Sequence, residues 1–318
     1  AANNVPRIEY DATGAVKGLL IEEARTNLYL NSNQFVSGWP RVASDIYASA
    51  GTSPSGLADA WRWVGTGNSI LYQGTPYVAG DYTVSAWVKS NGAGEDTFRL
   101  YGLNSLISGD FTATSEWVRY SFTITSASAV NQFSGLAYGA SQGNVDLLVY
   151  GLQIEAGSFP TSYIPTTGAA ATRAVDIAQI PTSAFGYNND KGTVVCEFDS
   201  AALYGSTIFT LDGAGSSNGI TAIIYPANRI SYQVVTGGVT QVNSNFDAYA
   251  TASQVSKVAT VYAKDDFAAV LNGGAVATDT AASLPTVDLL RLGVYLGGAL
   301  FFMSGHIKSI QYYPRRLT

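Results

Sequence analysis

GDYTVSAWVKS, residues 80–90, alternates strictly between apolar and polar positions. Tyr82, Val84, Ala86 and Val88 fall on one side of an extended chain, and Thr83, Ser85, Trp87 and Lys89 fall on the other, because successive side chains of a strand point to opposite faces. The same period returns in EWVRYSFTIT (116–125), which groups Val118, Tyr120, Phe122 and Ile124. It returns again in VDLLVYGLQIEAG (145–157), where strict alternation predicts that Leu148, Tyr150, Leu152 and Ile154 face together. Half-buried strands with turns every ten residues or so predict an antiparallel sandwich. No stretch sustains apolar residues at i, i+3 and i+4 between helix caps. The expected class is all-β: two antiparallel β-sandwich (jelly-roll) domains preceded by an extended N-terminal arm.

Working outward, VPRIEYDATGAVKGLLIEE (5–23) holds two extended runs around a turn-prone Asp11-Ala12-Thr13-Gly14, which predicts a hairpin. SFPTSYIPTTGAAATRAVD (158–176) carries Pro160, Pro165 and a run of small residues, the composition of a boundary. A second strand series follows it. The expected domains are an arm over 1–26, a jelly roll over 27–165, a linker over 166–180 and a second jelly roll over 181–318.

Composition limits the chemistry. The 318 residues are 47% hydrophobic and 13% charged, with a net charge of −6, which describes a folded chain with no basic cluster for nucleic acid or an anionic membrane. No apolar run is long enough for a membrane-spanning helix. The chain opens AANNVPRIEY, without methionine or a signal-type core, and reads as a piece of a longer protein. Cys196 is the single cysteine and His306 the single histidine, so a disulfide, a thiolate cluster and a multi-histidine zinc site have no residues to form them. A serine triad would need His306, which lies in a strand pattern and reads as a plain strand residue. GAGSSNG (213–219) lacks the lysine and helix of a phosphate loop. Glu22 and Glu23 are adjacent in extended chain and point to opposite faces, so they cannot flank one glycosidic bond, and Asp265–Asp266 sit at a turn. The expectation is a protein without catalytic residues.

Sugar binding needs only flat rings and polar groups on an exposed face. Trp87 is the first candidate, since alternation sets it against Val84, Ala86 and Val88. Arg99 and Tyr101 likewise point away from Phe98 and Leu100, and Tyr72, Tyr77, Gln132 and Tyr138 are expected to complete a groove. Trp61 and Trp63 share one face and read as core, and Trp117 reads as an edge plug.

GLLIEEARTNLYLNSNQF (18–35), VYGLQIEAGSFPTSYIPTT (149–167) and AATRAVDIAQIP (170–181) resemble a recurrent module of tailed-bacteriophage virion proteins. The resemblance implies a first jelly roll similar to the carbohydrate-binding modules of bacterial xylanases and cellulases. Through KVATVYAKDDFAAVLNGGAVATDTAASLPTVDLLRLG (257–293) and GHIKSIQYYPRRL (305–317), the second half resembles a laminin G/concanavalin A-like jelly roll. It turns the charged knot at Glu22, Glu23, Arg25 and Asn27 from an active site into a structural clasp, with Glu155 as a further partner. Both folds often carry structural calcium, for which Asp146, Glu155, Asp212 and Asp266 offer oxygens without a ligand loop of fixed spacing. The function so implied is non-catalytic attachment of a virion tail or head appendage to bacterial surface polysaccharide. Other virion proteins would be further partners, and such appendages are often trimeric, here through the arm. The rival readings are a structural spacer and, with no acid pair or β-helix repeat to support it, a polysaccharide depolymerase.

Overall fold

The computed structural model describes residues 5–318 apart from 12, 93–95, 103–105, 139–143, 214, 216, 226–228 and 299, and the backbone alone at 130, 131 and 245–249. The described residues form strands and two three-residue 3-10 turns, with every strand pair antiparallel. The chain is all-β and builds two compact units, one of them discontinuous: Ala24–Ala174, and Ala1–Glu23 together with Val175–Thr318. This differs from the expected order of arm, roll, linker and roll. The arm is part of the second sandwich, and the expected linker divides at residue 174.

In the continuous unit the long strand Trp61–Tyr77 organises both layers. Over Trp61–Thr66 it pairs with Asn144–Ala156, and over Ser69–Tyr77 with Val130–Tyr138. Gly80–Ser90 lies between Asn144–Ala156 and Val118–Ser126, and Thr97–Gly102 lies beyond Val130–Tyr138. The change of partner falls at VGTGNS (64–69), where the register against Arg41–Tyr47 jumps from Ser44↔Gly65 to Val42↔Ile70. A Cβ on Gly65 would lie 2.3 Å from Ser69 Oγ, so only glycine lets the chain fold this tightly. Trp63, Leu71, Val84, Ala86, Val88, Phe98, Leu100 and Leu136 are fully buried between the layers.

One expected alternation breaks. Leu147 and Val149 face the core, then Leu152 and Ile154, while Leu148, Tyr150, Gln153 and Glu155 take the other face. Gly151, at φ +61°, adds one residue and reverses the phase, as a bulge must in a structure of period two. Leu148 and Tyr150 therefore do not share a face with Leu152 and Ile154.

In the discontinuous unit a seven-stranded and a six-stranded sheet enclose a core that includes Cys196, Phe198, Phe209, Tyr232, Val258 and Phe267. The arm extends the first sheet. Ile8–Tyr10 pairs with Val16–Ile21, which pairs with Gly305–Tyr313. Asp11 Oδ1 accepts from Thr13 N at 2.8 Å and stabilises the hairpin turn. A Cβ at Gly18 would sit 2.7 Å from Ile307 O, so glycine permits the close strand contact. Ile21 is 1% exposed and joins the core, a burial worth roughly 1.5–3 kcal/mol.

His306 is more than a plain strand residue. Its Nδ1 lies 2.8 Å from Asp199 Oδ1 and its Nε2 2.5 Å from Glu9 Oε2, which ties the arm to the sheet. Burial pulls the imidazole pKa down, but hydrogen bonds to the two carboxylates outweigh it and raise it to about 9. The bond to His306 lowers Glu9 to about 2 against a smaller opposing effect of burial. The two shifts describe one interaction. Its imidazolium side contributes fully below the ordinary histidine value near 6.5 and is lost as pH rises through about 9. Its carboxylate side contributes fully above the ordinary glutamate value near 4.5 and is lost as pH falls through about 2. The melting-temperature difference between the protein and His306→Gln is therefore expected to be widest around pH 5–6, at a few degrees for an interaction of about 1 kcal/mol, and to shrink by pH 10. A difference constant across that range would contradict the assignment.

Candidate functional site

The expected clasp divides between the two units. In the discontinuous unit Glu22 Oε2 meets Arg7 Nη1 at 2.8 Å, and Asp176 accepts from the second guanidinium nitrogen of Arg7 and from Glu22 N (2.9 Å). Asp176 N returns a bond to Glu22 O at 3.0 Å, and Glu23 N donates to Ser304 Oγ at 3.4 Å. In the continuous unit Arg25 lies over the Phe159 ring, 4.8 Å from its centroid. Asn27, fully buried, donates to Ile164 O (2.8 Å) and accepts from Tyr29 N and Ile154 N (both 3.2 Å). Glu155, also fully buried, accepts from Thr161 N, Thr161 Oγ1 and Gln153 Nε2 at 2.8, 2.6 and 2.6 Å. Gln153 Oε1 accepts from Ile164 N at 2.7 Å. Side chains of GLQIEAG thus replace ladder bonds for SFPTSYIP, which explains how a proline-bearing segment is fixed against a buried strand.

The carboxylates considered for calcium are arginine partners. Arg62 grips Asp146 through Nε (2.7 Å) and Nη2 (2.5 Å), and Asn91 Nδ2 adds a bond at 3.0 Å. The bond to Arg62 is the main cause of a lowered Asp146 pKa. Arg291 Nε lies 3.0 and 2.9 Å from the two oxygens of Asp212, and Arg316 holds both oxygens of Asp266 at 2.9 Å. Burial nevertheless raises the Asp212 pKa, outweighing Arg291 and the amide of Gly297. Forked guanidinium pairing engages both oxygens of Asp146 and of Asp266, and Arg291 Nε bridges those of Asp212, so each of the three serves as an arginine partner in this structure. Among the described residues no three His, Cys, Asp or Glu side chains are placed to share a metal.

The candidate sugar-binding residues separate into three groups. Tyr77 and Tyr138, each 2% exposed, lie in the core and are corrected out of the groove. Gln132, half-buried, stands opposite Thr75, a buried residue, and so shares the inward face rather than the exposed one. Trp87 does point away from Val84, Ala86 and Val88, but it stands between Arg119 and Tyr150 on the outer face of the other layer. Tyr72, Tyr101 and Arg99 come together. Tyr72 and Tyr101 are both in register with Gly135, one from each flanking strand, about 10 Å apart at the backbone across two strand spacings. A Cβ on Gly135 would lie 2.1 Å from Leu71 O, so the position between the phenols is kept free of a side chain. Burial, and then the nearby Tyr72, raise the Tyr101 pKa, so the Tyr101 phenol is a neutral hydroxyl donor at pH 7.

The pairing also brings in residues that single-strand patterning missed. Phe133, 45% exposed, meets Tyr72 edge-on at 4.9 Å and 68°. Ile107, 45% exposed, stands opposite Tyr101, and Val42, 47% exposed, stands opposite Ile70. Arg99, two residues from Tyr101 on the same face, is paired to Asp110 at its margin. The result is an exposed apolar and aromatic strip with a glycine gap and a charged rim.

No protein-family model matches the chain, and no curated protein matches it. Among solved structures, the chain is similar to the CBM40 module of the Ruminococcus gnavus IT-sialidase bound to alpha2,3 sialyllactose, at 17% identity over 43% of this chain and 82% of that one (TM-score 0.38). It is also similar to sheep galectin-11 in complex with glycerol, at 8% identity over 44% of this chain and 100% of that one (TM-score 0.30). Domains LG4-5 of the mouse laminin alpha1 chain are similar over 100% of this chain and 96% of theirs, at 9% identity (TM-score 0.34).

Chemically, the strip can stack the C–H face of a sugar ring on each tyrosine and bond hydroxyls through the phenols and the Arg99–Asp110 pair.

Proposed function

We propose that this chain is a non-catalytic module that binds bacterial surface polysaccharide along the strip of Tyr72, Tyr101 and Phe133. The observation that carries the reading is the pair of half-exposed tyrosines set across a side-chain-free Gly135, on a sheet face where apolar residues remain open to solvent. Two tyrosines whose backbones stand about 10 Å apart suit successive residues of an extended chain better than a single sugar. The virion setting rests on the phrases at 18–35, 149–167 and 170–181 that resemble phage appendage proteins. In such an appendage, several copies displayed together would turn weak single contacts into firm attachment, because each later engagement is intramolecular.

The test is binding of the purified chain to surface polysaccharides of candidate host bacteria, with polymer length followed in parallel. Saturable binding at constant length is expected. Absence of binding across the panel would favour the spacer reading, and new reducing ends or unsaturated sugars would favour a depolymerase.

A further inference from the structure

A second concavity lies in the continuous unit, on the opposite layer from the tyrosine strip. The loop around residues 48–59 and the segment 163–167 enclose a cleft of about 390 Å³, within the usual size of a small-ligand site. Trp61, Tyr150 and Tyr163 supply its aromatic wall, with Ala48, Ala58 and Pro165 beside them. Tyr150 and Tyr163 meet at 5.4 Å and 63°. Gly151 allows this, since a Cβ there would lie 3.3 Å from the Tyr163 ring. Tyr150, the last residue in register before the bulge, stands on the outer face with Leu148 and so reaches the cleft.

Asp59 is the one formally charged residue among those lining the cleft. Its Oδ1 accepts from Ser55 Oγ at 3.2 Å and its Oδ2 lies 3.5 Å from Asn33 Nδ2, both long contacts to neutral groups. Among the described residues no Lys, Arg or His pairs with it. Burial raises both phenols above the ordinary tyrosine value, and the Asp59 charge adds to the effect, so the rings stay neutral. Arg119, whose charge reaches Tyr163, donates to Thr161 O (2.6 Å) and Ser85 Oγ (2.9 Å) and does not line the cleft.

Ring faces are electron-rich, and a carboxylate beside them deepens the negative potential, which attracts a cation and repels an anion. The primary alternative, a neutral sugar, would gain nothing from the missing counter-charge at Asp59. We propose that this cleft binds an organic ammonium group, with the cation held between the Asp59 carboxylate and the Tyr150 and Tyr163 rings. The ammonium could come from a quaternary headgroup or from an amino sugar.

Calorimetric titration of the full chain with choline, glucosamine, N-acetylglucosamine and glucose tests this. Saturable binding of choline or glucosamine is expected, at least ten-fold weaker in Asp59→Asn and in Tyr163→Ala. Choline alone would point to a quaternary headgroup, and glucosamine alone to an amino sugar. Asp59→Asn keeps the loop's shape, and its unchanged melting temperature and unchanged polysaccharide binding would separate this site from the tyrosine strip. Absence of binding by both ammonium probes, equal binding of the neutral sugars, or full affinity in Asp59→Asn would each overturn the proposal.

Discussion

Glu155→Ala is expected to lower the melting temperature of the continuous unit by roughly 10 °C, following a loss of about 3–5 kcal/mol. The carboxylate is fully buried and accepts three hydrogen bonds, two from Thr161 and one from Gln153. Alanine would leave those donors without partners in an interior that water does not reach, and each orphan costs about 1–3 kcal/mol before the segment relaxes. Glu155→Gln keeps the volume but turns an amide towards donors, so an intermediate loss is expected. Thermal unfolding followed by circular dichroism measures both. A Glu155→Ala protein melting within 2 °C of the parent would show that SFPTSYIP is held by packing alone.

Tyr72→Ala combined with Tyr101→Ala is expected to weaken polysaccharide binding about 100-fold, two stacking rings at roughly 1–2 kcal/mol each. Both rings are partly exposed and neither belongs to the central cluster, so the variant should fold. Trp87→Ala, on the other layer, is the matched control and should keep full affinity. Equal losses in the two proteins would mean that the ligand follows the outer face of Gly80–Ser90.

The strand content was legible because alternation was strong: Val84, Ala86 and Val88 are buried and Trp87 is not, as GDYTVSAWVKS predicts. Alternation gives the face within one strand and says nothing of which strands are neighbours. Trp87 and Tyr101 therefore looked like members of one groove, whereas strand order sets three strands between them. Phe133 was hidden for the same reason, since its value comes from Tyr72 on the next strand. Tyr77 and Tyr138 looked amphipathic and available, but they fill the core. The bulge at Gly151 shows a different limit, because one glycine at φ +61° exchanged the faces of everything after it. The clasp residues were singled out by composition, but their partners were not. Arg7 and Asp176 are 169 positions apart, and only the return of the arm to the second sandwich brings them to Glu22.

The most direct measurement is the structure of the full chain with an oligosaccharide cut from a polysaccharide that it binds. The account predicts successive sugar rings on Tyr72 and Tyr101, crossing the gap at Gly135, with hydroxyls bonded at the Arg99–Asp110 rim. Sugar seated against Trp87, in the Tyr150–Tyr163 cleft, or on the discontinuous unit with the tyrosine strip bare would contradict it.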